Sequence, residues 1–379
     1  LIAVNNIKYY KGLDVLRAFA VFFVIITHWG PHQFSSVTFT AIYQKILPDG
    51  NFGVDLFFVL SGFLITKILL NANLESNGIN KMKIIKSFYI RRSLRIFPVY
   101  YILILIVFLL GDQGVRNHLP YYLTYTSNIF IFQTNIWDSI SHTWSLAVEE
   151  QFYIIWPWVI ILCPQNKILK TILAFLAVGI ISSLAIHYFY GAIFYVLTPT
   201  CFTAFSIGAL ASYLQIYPNV KIQRIITFAL PFAILFFMIS QFGHKLVLIR
   251  LINSIIAVNL ILYVTKEKYN TVTKFIFENR LLITIGKISY GIYLYHFITP
   301  RYYLEFIDYI NHYSNFSPRT LRILTYPPPA YLIQLAIVFF VSYISFKYLE
   351  SSFTKLKRYF SYTDSNNITK HIENINIKY

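Results

Sequence analysis

Runs of about twenty apolar residues recur along the whole chain, each long enough to cross a bilayer as a helix. This pattern limits the fold more than any other feature, because a helix is one of few structures that satisfies its own backbone hydrogen bonds in lipid. Only 12% of the 379 residues are charged and 57% are hydrophobic. A soluble protein carries about twice that charged fraction. Strands of a membrane barrel would alternate apolar and polar residues, and these runs do not. The expected class is an all-α, polytopic integral membrane protein with about ten transmembrane helices.

The ten spans are read at 13–30, 53–73, 94–111, 143–163, 169–190, 193–215, 225–242, 246–265, 281–299 and 327–349. Residues 119–135, LPYYLTYTSNIFIFQTN, are aromatic but polar, and read as a re-entrant or interfacial segment, with an eleventh span as the alternative. With ten spans both termini share a side. The loops there hold Lys8, Lys11, Lys81, Lys83, Lys86, Arg91 and Arg92, and later Lys266, Lys268, Lys274, Lys355 and Arg358. The opposite loops hold far fewer cations. Lysine and arginine collect on the cytoplasmic side, so both termini are expected there. The net charge of +17 thus follows a membrane face and gives no support for nucleic acid as a partner.

Two units follow: 1–360 as the transmembrane domain and 361–379 as a polar cytoplasmic tail. The chain opens on Leu1 with no evident cleavable leader, so the first run reads as a retained span. Cys163 and Cys201 fall in or beside apolar runs, so a disulfide is not expected. No CxxC or HExxH spacing is present, so no metal site is expected.

Polar residues inside the apolar runs carry the functional signal. Span 1 holds Arg17 and His28, eleven positions apart. On a helix that is ~16 Å of rise and three turns plus about 20°, so both lie on one face. Interfacial placement of the two is one reading. Asp14 could also pair with Arg17 across one turn. Span 2, NFGVDLFFVLSGFLIT, places Asp55 at its outer end, where a carboxylate could orient His28. Gly53, Ser61 and Gly62 read as packing residues. FYIRRSLRIFP before span 3 puts Arg92 and Arg95 on one helix face, with Arg91 one step round. They read either as a positive-inside anchor or as a phosphate clamp.

Span 4 opens SHTWSLAVEEQFYIIWP, with the acids Glu149 and Glu150 about two turns in. Carboxylates there need a partner or a proton, which favours function over filler. Ser145, Glu149 and Tyr153 align on one stripe, and His142 is nearer the outer surface. In span 9, IGKISYGIYLYHFITP, Ser289, Tyr293 and His296 share a face. The pattern thus sets His28, Asp55, Glu149 and His296 toward the outer half and the arginines toward the inner side.

At these residues the chain resembles the membrane-bound acyltransferase family 3, O-acyltransferases that modify bacterial surface glycans. Five blocks occur in that family's order: LDVLRAFAVFFVIITH, FGVDLFFVLSGFLI, YIRRSLRIFPVYY, TWSLAVEEQFY and ISYGIYLYH. The family's LDGLRG is here LDVLRA, with Val15 and Ala18 in place of glycines, which bears on local packing. Many members carry a C-terminal SGNH domain, and the chain is expected to lack one. The resemblance implies a multi-pass protein of the bacterial cytoplasmic membrane, using acyl-CoA, acetyl-CoA in the first instance, as co-substrate with no bound cofactor. It implies a glycan or lipid-linked glycan acceptor, with a separate periplasmic or extracellular transferase as a candidate partner. It implies His28 as catalytic base or acyl carrier, with Glu149 and Asp55 orienting it or relaying protons. Arg17, Arg91, Arg92 and Arg95 would bind the donor, and Trp144, Ser145, Tyr153, Ser289, Tyr290 and His296 would line the site.

Two other classes use similar residues. A proton-coupled transporter also places acids, arginines and histidines within the membrane, but would not consume acyl-CoA. A membrane scaffold gives no reason for acids and histidines at matched depth. Within the acyltransferase reading, a small lipophilic acceptor such as a macrolide is the alternative to a glycan.

Overall fold

The computed structural model describes residues 9–29, 50–76, 78–241 and 246–362. The loop carrying Lys45 and the tail from 363 lie outside the described residues. Within them the chain is helical and contains no strand. The principal helices are α1 (Lys11–Trp29), α2 (Gly50–Glu75), α3 (Lys81–Leu109), α4 (Trp144–Leu162), α5 (Ile168–Tyr190), α6 (Thr198–Ile216), α7 (Val220–Gln241), α8 (Ile249–Lys266), α9 (Arg280–Lys287), α10 (Ser289–Tyr295), α11 (Thr299–Ser314) and α12 (Pro329–Ile344).

Among the described residues, eight helices are long and apolar enough to cross a membrane. The protein is an all-α, multi-pass membrane protein. Two of the ten expected spans differ from the rest. Helix α6 is long enough, but Thr198, Thr200, Thr203, Ser206 and Ser212 lower its hydropathy. All five are buried, since α6 is enclosed by α2, α5 and α8, so their hydroxyls face protein and not lipid. The run at 281–299 is not one helix. It breaks at Ile288 into α9 and α10. Gly286, just before the break, lies against α1 so closely that a Cβ would sit 1.8 Å from the Asp14 carbonyl oxygen.

Residues 119–135 form two short helices, Leu119–Leu123 and Ser127–Thr134, and not an eleventh span. Helix α3 starts thirteen residues before the expected 94, so the arginine block lies inside it and not ahead of it. Helix α12 continues as further helical turns through Tyr359.

Helices α9 and α10 together run parallel to α1, and side chains tie the helix ends. At one end Trp29 Nε1 donates to the His296 carbonyl and Arg250 pairs with Asp55. At the other, Lys67 Nζ donates to Gln215 and Arg91 to the Lys357 carbonyl. Gly53 and Gly62 do serve packing: a Cβ at Gly62 would lie 2.1 Å from the Phe205 carbonyl oxygen of α6. Small residues let helix backbones touch where lipid offers no hydrophobic drive for association. Val15 and Ala18 are fully buried, so α1 takes both into its core face.

Candidate active site

Two connected spaces run between α1, α2 and α3, one closed by α9 and the other by α4 and α10. The inner vestibule has a volume of about 460 Å³ and is walled by Tyr9, Asp14, Arg91, Lys287, Lys357 and Tyr362. A smaller chamber of about 90 Å³ lies farther in, lined by Ser61, Ser145, Glu149, Tyr153, Ser289, Tyr290 and Tyr293. Arg17, Arg92 and Arg95 line both spaces and form the collar between them.

The four arginines are not equivalent. Arg17 donates to Asp14 at 2.6 Å, so the one-turn ion pair is present, and Tyr9 also donates to that carboxylate. The Tyr9 hydroxyl therefore titrates above its ordinary value, first through burial and then through the Asp14 bond. Arg91 donates to the carbonyls of Lys357 and Phe360 at 2.8 and 3.2 Å and stacks on Tyr362. It braces the segment after α12. Arg92 lies over the Tyr153 ring at 4.8 Å. Among the described residues neither Arg92 nor Arg95 is in an ion pair, so their donors face the collar. They lie eleven and fourteen residues beyond the start of α3, about 16–21 Å along it.

In the chamber, Tyr153 donates to Ser61 Oγ at 3.0 Å, and Ser61 donates to Glu149 Oε1 at 2.7 Å. The expected stripe of Ser145, Glu149 and Tyr153 faces the chamber together. Glu150 points elsewhere. It is buried, and one carboxylate oxygen lacks a partner. Tyr290 lines the chamber and donates to the Ile96 carbonyl at 2.9 Å.

Beyond the chamber lies a histidine layer. His28 Nδ1 is 2.9 Å from His296 Nε2, and His296 Nδ1 is 2.6 Å from the Tyr293 carbonyl oxygen. A carbonyl only accepts, so Nδ1 of His296 carries a hydrogen. In its neutral form its Nε2 is then an acceptor, and His28 must donate from Nδ1. That leaves a lone pair on His28 Nε2. His296 is wholly buried while His28 is exposed. Tyr293 connects the layers: its ring faces the chamber, its hydroxyl donates to the His142 carbonyl and accepts from Ser145, and its carbonyl holds His296. His142 packs edge-on to His296, with ring centroids 5.2 Å apart.

A family profile described as an acyltransferase domain matches residues 10–350. The chain belongs to the acyltransferase 3 family. It is 27% identical over 390 residues to "Putative O-acetyltransferase SACOL0978" of Staphylococcus aureus strain COL, covering 93% of this chain and 58% of the relative. It is 26% identical over 383 residues to O-acetyltransferase OatA of S. aureus strain NCTC 8325, covering 92% of this chain and 58% of that one. The chain thus spans 58% of the length of these curated relatives. No solved structure matches it.

Three expectations for the site change. Asp55 does not orient His28; its carboxylate accepts from Arg250 Nε at 2.7 Å and Asn253 Nδ2 at 2.8 Å. Glu149 does not orient it either, since its partner is Ser61. His296 holds that position, 268 residues away in sequence. Trp144 does not line the chamber and packs edge-on against Phe58 and Tyr195. Ser61, read as packing, is a chamber residue. Arg250 had no role in the sequence reading, although a lone arginine inside the apolar run 246–265 was itself a signal.

Proposed function

We propose that the chain transfers an acyl group, acetyl in the first instance, from acyl-CoA on the cytoplasmic side to a hydroxyl of a glycan or lipid-linked glycan on the outer side of the bacterial cytoplasmic membrane. The observation that carries this is the His28–His296 bond, which leaves His28 Nε2 as an accepting lone pair beyond an arginine-collared passage. A thioester donor is anionic at its phosphates and apolar at its reactive end. Arg92 and Arg95, with Arg17 behind Asp14, suit the phosphates. The narrow chamber suits the acyl-bearing arm.

His28 Nε2 then removes the proton of the acceptor hydroxyl. The oxygen forms the ester bond to the acyl carbon, the carbon–sulfur bond breaks, and the proton passes to the departing thiolate. The same lone pair serves an acyl-carrier route, in which Nε2 itself holds the acyl group between two transfers. Tyr293 lies between the chamber and the histidines, so its side chain gates passage of the acyl group. The basic loops support cytoplasmic termini. A separate extracytoplasmic transferase could complete delivery to the final acceptor.

The test is transfer of labelled acetyl from acetyl-CoA in membranes carrying the full chain, followed as free thiol released and as ester formed on extracted glycans. Wild type produces both and His28→Ala neither. Thiol release and ester formation at the wild-type rate in His28→Ala would sink the assignment.

A further inference from the structure

Beyond its first two turns helix α7 is apolar on every side and little enclosed: Phe228, Phe232, Leu235 and Phe236 are all exposed. Between it and α2, α6 and α8 opens a crevice of about 1560 Å³, separate from the chamber. Its two ends differ chemically. Lys67, Arg224 and Lys266 line it where α6 and α8 end and α7 begins. Away from that end its walls are Leu230, Pro231 and Ile234 of α7 and Ile256 and Leu260 of α8, with Asn259 among them, its amide donating to the Ile226 and Ile255 carbonyls. Ten residues separate Arg224 from Ile234, and ten separate Lys266 from Ile256. Each interval is ~15 Å of helix, about half the hydrocarbon thickness of a bilayer. The crevice is therefore one leaflet deep, cationic at its mouth and apolar along its length.

Lys67 is the decisive residue. It is buried, and its ammonium donates to Tyr10 Oη at 3.2 Å and Gln215 Oε1 at 2.8 Å. Both acceptors are neutral, and an ammonium has a third donor. The faces of Tyr10 and Phe63 lie 4.6 and 5.4 Å from it. Among the described residues no carboxylate pairs with Lys67, Arg224 or Lys266. A buried cation normally has an anionic partner, Lys67 has none among the described residues, and the exposed Arg224 and Lys266 open onto the same cavity.

We propose that this crevice binds a phospholipid of net negative charge from the adjoining leaflet. The phosphate sits among Lys67, Arg224 and Lys266, and one acyl chain runs along α7 and α8. A neutral lipid would leave the cations unmatched. A small soluble anion would leave the apolar wall unfilled. Tyr10 is shared with the inner vestibule, but none of the collar arginines lines the crevice, so the site can be altered without touching them.

The experiment uses the full chain purified in mild detergent, incubated with phosphatidylglycerol or phosphatidylcholine, gel-filtered, and analysed for retained lipid by mass spectrometry. Wild type retains phosphatidylglycerol with a preference of about tenfold or more, since each basic group near an anionic lipid contributes roughly fivefold. Lys67→Met combined with Arg224→Gln leaves Lys266 as the remaining cation of the three and lowers the preference to about fivefold or less. Leu260→Trp keeps the cations, fills the groove and releases the lipid; Leu230→Trp on the facing wall replaces it if that variant does not fold. Equal retention of both lipids by wild type, or an unchanged preference in the double variant, overturns the proposal. So does full displacement by glycerol 3-phosphate, which would make the site one for a soluble anion.

Discussion

Two polar clusters occupy the same end of the helix bundle, and they are built on opposite principles. In one, Asp55 of α2 meets Arg250 and Asn253 of α8, and the guanidinium goes on to Thr200 Oγ1 and the Tyr195 carbonyl, both at 3.0 Å. Every nitrogen of Arg250 is engaged, and opposite charges face each other in the core. In the other, His28 and His296 are linked by one bond, whose direction the Tyr293 carbonyl on His296 sets, so that both tautomers are fixed and one nitrogen is left available. The saturated cluster joins helices; the one with an open lone pair can react. Two polar residues at outer helix ends look alike in a sequence, and only their partners divide scaffold from chemistry.

The largest effect separating the clusters falls on His28. His28→Ala should lower transfer by about a hundredfold or more, the usual cost of losing a general base, with unchanged expression and melting temperature. Loss below about threefold would merge the two clusters into one structural class.

Asp55 should behave in the reverse way. Asp55→Ala leaves Arg250 buried without its counter-charge, at a cost of about 3–5 kcal/mol, read as a lower melting temperature or failed insertion. Joint replacement as Asp55→Leu with Arg250→Met should restore most of that stability and recover transfer. A stable double variant that stays inactive would return Asp55 to the catalytic machinery.

The chamber repeats the contrast on adjacent residues. Glu149→Gln keeps the Ser61 bond but removes the charge facing the collar, and should cost about tenfold in kcat/KM. Glu150→Gln should be tolerated, because Glu150 lies outside the chamber and one of its oxygens has no partner. Equal losses would mean that the two acids act as a pair.

Among the arginines the same logic gives a smaller difference. Arg92→Gln should raise the KM for acyl-CoA about tenfold, the worth of a charge-assisted hydrogen bond, and leave that for the acceptor near wild type. Arg91→Gln should act mainly on thermal stability, since its donors hold the chain at Lys357 and Phe360. A shift in acceptor KM with Arg92→Gln would end the donor assignment.

The smallest effect lies outside the membrane, at Asp112. Burial alone would raise its carboxyl, but the hydrogen bond from Val115 and the charge and hydrogen bond of Arg301 help to outweigh that and hold it below the ordinary 3.8. A depressed folded-state value stabilises above the unfolded one and is lost as pH falls through it. Thermal scans from neutral pH to below 3.8 should therefore show wild type losing a small advantage over Asp112→Asn at the acid end. A constant difference at all pH values would assign the Asp112 contribution to shape alone.

Much of this was written in local pattern. Apolar run length alone determined the class, because lipid admits few backbone solutions. The helical period put Arg17 with His28 and Ser145 with Glu149 and Tyr153, because neighbours one to three turns apart depend only on residues between them. The acyltransferase motifs likewise drew attention to most residues of the chamber and collar. Partner choice was not legible. Which acid or ring faces His28 depends on how α1, α2 and α10 lie against one another, and that is decided by contacts such as Gly62 on Phe205 and Gly286 on Asp14, between residues far apart in sequence. The break at Ile288 was hidden for the same reason: the run 281–299 is apolar enough to be one helix, and only its fit against α1 separates α9 from α10. The sequence by itself determined that polar groups would be carried into the membrane and roughly how deep. Tertiary structure alone decided that Asp55 would be spent on Arg250 and that His296 would orient His28, because a hydrogen bond is short and directional, and sequence spacing is neither.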